Sequence, residues 1–78
     1  MMRRKAYGPE DLAKLAKEFR TRAGRSRAEA AREMSVSQTS IFNAEQVPDH
    51  GLSKLRVRMI EKYSEFRVIG PIFVLKGR

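Results

Sequence analysis

The chain has 78 residues, no cysteine, one histidine, and 17 Lys and Arg against nine Asp and Glu, a formal charge of +8. That length makes one small domain with a modest core and no room for a large catalytic cleft, and without cysteine there are neither disulfides nor thiolate metal sites. So strong a positive field on so short a chain points to polyanionic partners.

No apolar run approaches the ~20 residues that span a bilayer, and the opening residues lack the apolar segment of a signal peptide. A cytoplasmic protein with no membrane segment is expected. Ten basic residues precede Glu33, accompanied by five acids counting Glu33 itself, so positive potential gathers in the N-terminal half.

Residues 1–8 carry Arg3, Arg4 and Lys5 without an apolar pattern. They read as a flexible basic arm that could follow a nucleic-acid backbone or simply solubilise the chain. Pro9 stands at the favoured first position of a helix, with Glu10 and Asp11 where the helix dipole welcomes negative charge. Leu12, Leu15, Ala16, Phe19 and Ala23 form one stripe facing a core, Lys14, Lys17, Glu18 and Arg22 face water, and Gly24 ends the helix.

Ser26 followed by Glu29 is a capping box, so a second helix begins at Arg27. Its free N–H groups with Arg25 and Arg27 suit a phosphate. Ala30, Ala31, Met34, Val36, Ile41 and Ala44 cannot lie on one continuous helix, because Ser35, Val36 and Ser37 interrupt the period. A helix-turn-helix accommodates them: small alanines let the helices cross closely, Val36 plugs the turn, and Ser37 caps a third helix, Gln38–Gln46. Gln38, Thr39, Phe42, Asn43 and Gln46 then point outward, an amide-rich face suited to base edges in a DNA major groove. Gln38, Thr39 and Asn43 are the expected base contacts, and Arg25, Arg27, Ser40, Arg3 and Arg4 the expected phosphate contacts. Phe42 either packs on a thymine methyl or is buried against the following loop or a second subunit.

Val47 to Gly51 forms a loop, in which His50 reads as an ordinary surface histidine. Leu52, Leu55, Met59, Ile60 and Tyr63 mark a fourth helix over Ser53–Tyr63, with Lys54, Arg56, Arg58 and Lys62 outside. Of these, Lys54, Arg56 and Arg58 are placed to reach flanking phosphates. From Phe66 the chain is rich in β-branched and aromatic residues around Gly70-Pro71, which indicates strands at Phe66–Ile69 and Ile72–Lys76. The run Ile72, Phe73, Val74 and Leu75 is apolar on both faces, so it is expected to be covered by a second copy of the chain in a homodimer, the alternative being an intramolecular hairpin over the core. No histidine or carboxylate stands at catalytic spacing with a serine, and no Gly-rich phosphate loop or metal-ligand cluster occurs; neither catalysis nor a cofactor is expected.

Over residues 12–63 the chain resembles the Cro and phage-repressor (Xre-like) helix-turn-helix family. The pattern R-x-x-x-A-x-x-M-S-V-S-Q-T-S-I-x-x-x-E carries the resemblance, with Ala31, Val36, Ser37, Gln38, Ile41 and Glu45 matching the family's residue types in register. It implies a mainly α (α+β) fold: a four-helix lambda-repressor-like helix-turn-helix domain over residues 9–65, followed by a short C-terminal β segment, 66–78, as dimerisation element. It also implies a transcriptional regulator, of Cro-like repressor type, binding a palindromic operator as a dimer, and a structural pair between Arg20 and Glu45. Ser35 stands where the family has a turn glycine, at a cost of roughly 1 kcal/mol or a changed turn. Arg27 stands where glutamine is usual. The alternatives are the DNA-binding antitoxin of a toxin–antitoxin pair, or a basic RNA- or protein-binding adaptor without sequence choice.

Overall fold

Local signals divide the chain. The computed structural model describes residues 6–48, 51–69 and 73–77, and of Ala6, Ile69, Phe73, Val74 and Lys76 the backbone alone. Arg3, Arg4, His50 and Ile72, named above, lie outside the described residues. The described elements are β1 (Ala6–Tyr7), α1 (Pro9–Arg22), α2 (Arg27–Met34), α3 (Gln38–Gln46), α4 (Ser53–Tyr63), β2 (Phe66–Ile69) and β3 (Phe73–Gly77). The protein is mainly helical.

Pro9 starts α1, and the Gly8 N–H donates to the Asp11 carboxylate at 3.3 Å, satisfying a donor at the helix start. The helix ends at Arg22, after which Gly24 takes φ +74°, a conformation glycine adopts without steric cost. Leu12, Ala16 and Phe19 face the core as their spacing requires, but Ala23 is exposed, and Ala13 and Arg20 are buried instead. The core joins these to Ala30, Ala31 and Met34 of α2, Ile41 and Ala44 of α3, and Leu55, Met59 and Ile60 of α4, with Val36 packed against it from the turn. Four alanines among its members keep the helices close, while each fully buried Leu or Ile supplies roughly 1.5–3 kcal/mol.

The sheet pairs the two C-terminal strands antiparallel and adds a third strand to them. Its order is β1-β3-β2, antiparallel throughout, with Tyr7 opposite Phe73 and Val68 opposite Leu75. Ala6 and Tyr7, assigned from sequence to a flexible arm, are therefore a strand, and Gly8 caps α1. The β3 strand is paired with β2 along one edge and with β1 at Phe73 and Val74 on the other, and Leu75 packs against the helical core.

The far edge of β2 is covered as well. Alternate residues of an antiparallel strand turn their N–H groups away from the neighbour. Those of Phe66 and Val68 donate to Ser64 Oγ and Glu61 Oε2, each at 3.0 Å. Side chains from the end of α4 thus take the hydrogen bonds that an added strand would need. Within one chain, β1 thus pairs with Phe73 and Val74 on one edge of β3, β2 pairs along the other, and Glu61 and Ser64 cap the outer donors of β2.

Candidate nucleic-acid interface

The outward face of α3 is shaped by the elements on either side of it. At the start of α2, the Glu29 N–H donates to Ser26 Oγ at 3.1 Å and the Ser26 N–H returns to the Glu29 carboxylate at 2.8 Å. The backbone hydrogen bond from Ser26, aided by its hydroxyl, holds the Glu29 carboxyl below the ordinary carboxylate value. At the other end Ser35 adopts φ 59°, ψ 44°, the left-handed conformation that reverses the chain. Val36 then donates back to the Ala31 carbonyl at 2.9 Å. Of the two expected outcomes at Ser35, the structure has the left-handed residue, with the strain that a side chain brings there. Ser37 caps α3 by accepting from the Ser40 N–H at 3.1 Å, while the two hydroxyls meet at 3.0 Å.

With that entry angle set, Ile41, Ala44 and Glu45 are buried, and Gln38, Thr39, Phe42 and Gln46 are exposed; Ser40 and Asn43 are half-buried. The three expected base-contact residues thus lie on the accessible part of one short helix. They make no side-chain hydrogen bonds among the described residues, so their amides and hydroxyl are available to a ligand.

Two ionic devices lock α3 in place. Glu45, its carboxylate fully buried, accepts from Arg20 Nε at 2.5 Å and Nη2 at 3.1 Å, and also from Arg27 Nε at 3.1 Å. Arg20 further donates to the Arg25 carbonyl at 2.6 Å, tying the α1–α2 loop to the same knot. The structural pair of Arg20 and Glu45 is therefore present, with Arg27 as a second cation. Arg27 also lies over the Phe42 ring, 5.0 Å from its centroid. Among the described residues Nε alone of the Arg27 guanidinium is hydrogen-bonded, and the side chain is 35% exposed at the start of α2.

The second device is Arg56, and it overturns an expectation. Placed from sequence on the outer side of α4, Arg56 is fully buried. Its Nε donates to the Ala44 carbonyl at 2.7 Å and its Nη2 to the Val47 carbonyl at 2.9 Å, covering the C-terminal carbonyls of α3. A cation at a helix C-terminus also complements the dipole. Burial lowers its pKa. Arg58 does the same for α2 from a more exposed position, donating to the Met34 carbonyl at 2.9 Å. Of the three α4 cations expected to reach phosphates, Lys54 alone is exposed without such a bond. The signal for Arg56 lay in the spacing: it stands four residues after Leu52 and four before Ile60, on the inward stripe.

Among the other expected phosphate contacts, Arg25 is exposed and pairs with Glu33 at 3.4 Å. The Tyr63 hydroxyl donates to the same Glu33, and burial together with that bond raises the Tyr63 pKa. An open groove of about 670 Å³ runs between the α2–α3 turn and the start of α4, lined by Val36, Ser40, Ser53, Lys54 and Arg58 among others. A second, of about 750 Å³, lies between the ends of α1 and α4, lined by Phe19, Arg22, Arg25, Glu33 and Tyr63 among others.

Among the described residues no group of three His, Cys, Asp or Glu side chains could hold a metal ion, and no helix is long and apolar enough to cross a membrane. Comparison with protein-family models, with curated proteins and with solved structures finds no match to this chain.

Proposed function

We propose that this protein is a sequence-specific DNA-binding regulator of transcription, most simply a repressor, in which α2 and α3 form a helix-turn-helix of lambda-repressor-like type and α3 enters the major groove. One observation carries the reading. A helix of nine residues leaves Gln38 and Thr39 exposed and Asn43 half-buried on a chain of charge +8, and its buried side is fixed by Glu45 between two arginines. Amide side chains make paired hydrogen bonds to adenine, each good pair being worth roughly 1–3 kcal/mol of discrimination. Arg25 and Arg27 around the start of α2, with Ser40 and Lys54 along the groove beside the turn, supply phosphate contacts that set affinity and register.

Two copies on a palindrome would place their α3 helices about 34 Å apart. Since Glu61 and Ser64 occupy the outer donors of β2, the copies would meet through a face of the C-terminal sheet and not by strand addition to β2.

Selection of bound duplexes from a random pool, followed by salt-titrated binding, tests the proposal. Gln38→Ala is expected to relax choice at one base position, whereas Lys54→Ala weakens all sequences alike and lowers the salt slope by about one. Equal affinity for selected and random duplex at every salt concentration would replace this reading with a basic adaptor lacking sequence choice.

A further inference from the structure

Phe42 is the one large apolar side chain that is exposed among the described residues, at 46% of its full area. A single exposed phenylalanine is ordinary on a protein surface. What distinguishes this one is its support. The Arg27 guanidinium stands over the ring, 5.0 Å from its centroid, and its Nε is bonded to the buried carboxylate of Glu45, which Arg20 holds from below. The ring is thus held by a chain of interactions that begins in the core, with the cation over it and nearly half of the residue exposed. Phe42 lies one helical turn beyond Gln38, between the stripes that carry the amides.

Resting on the DNA-reading proposal, the geometry points to Phe42 as a specificity-determining residue that recognises the C5-methyl group of a thymine. In the major groove the base edges offer hydrogen-bond donors and acceptors that the neighbouring amides can use, and the thymine methyl is their apolar feature. A ring already held by a cation contacts that methyl with little further loss of side-chain freedom. Arg27, if it takes a phosphate through its outer nitrogens, couples backbone contact to the same ring.

The test uses the full chain and the duplex that it enriches from a random pool, with each thymine replaced in turn by uracil, which removes the methyl alone. Wild-type protein is expected to bind about fourfold more weakly at one position, the effect of one buried methyl group. Phe42→Ala binds the thymine and uracil forms of that position equally, and Phe42→Leu, which keeps an apolar side chain, retains part of the discrimination. Equal loss in wild type and Phe42→Ala at every position, or no loss anywhere, overturns the role of Phe42 while leaving base reading intact. Failure to enrich any duplex refutes base reading itself, and the role of Phe42 with it.

Discussion

Replacing Glu45 with glutamine removes one negative charge and keeps the shape of the side chain, so it isolates what that charge does for α3. The carboxylate is fully buried, and Arg20 beside it is 10% exposed, so the guanidinium of Arg20 would lose its counter-charge where water cannot replace it. The amide also turns an N–H₂ group toward one of the two arginines, donor against donor. Removing one partner of a buried ion pair typically costs about 3–5 kcal/mol. The lower end applies here, because the Arg25 carbonyl still accepts from Arg20. A loss of about 3 kcal/mol is a large part of the roughly 4–12 kcal/mol that stabilises a domain of this size, and corresponds to a fall of about 12–24 °C in the melting midpoint.

Arg27→Gln provides the comparison. Its side chain is 35% exposed, and Glu45 keeps Arg20, so a loss under about 1 kcal/mol is expected once solvent screening is allowed for. Urea and thermal unfolding followed by far-ultraviolet circular dichroism measure both. The deficit of Glu45→Gln should persist in high salt, since buried charges are little screened. The reasoning fails if Glu45→Gln costs less than about 1 kcal/mol, or no more than Arg27→Gln.

Two further outcomes follow from the caps and the turn. Ser35→Gly relieves a left-handed conformation worth about 1–2 kcal/mol and gives back part of it as freedom in the unfolded chain. A net gain of about 0.5–1 kcal/mol in urea unfolding is expected, and destabilisation would show that the Ser35 side chain holds the turn. Glu29 tests the pH dependence: its lowered carboxyl pKa means that the unfolded chain binds more protons, so its contribution is present above the ordinary value of 4.5 and is lost as pH falls through the folded value. The stability gap between wild type and Glu29→Gln should therefore close on acidification; a gap that stays constant from neutral to acidic pH would remove the charge from the account.

Much of the helical framework is legible in the sequence because its signals are local. Ser26 with Glu29, Ser37 before Gln38, and Pro9 with its two acids each declare a helix start within four residues, and the structure begins α1, α2 and α3 at those places. The outward placement of Gln38 and Thr39 follows from the same caps and the period of Ile41 and Ala44. The charge of Arg56 points to the solvated side, whereas its spacing from Leu52 and Ile60 puts it on the inward stripe, where the structure buries it. Arg20 stands to Ala16, and Glu45 to Ile41, in the same relation, four residues on. A charged residue that falls on an apolar stripe needs a buried partner, and such positions show where helices are fastened to one another.

Composition and local patterning determined the charge, the starts of the first three helices, the reversal at Ser35 and the outward amides, since each depends on residues within a turn or two of one another. The tertiary structure decided the rest: which cations are buried, that Arg27 divides its interactions between Glu45 and Phe42, and that the two residues of β1 complete a sheet with β3 from the opposite end of the chain. Those outcomes depend on groups far apart in sequence meeting in one place. No local propensity encodes that encounter; the packing of α1, α3 and α4 around a shared core brings it about.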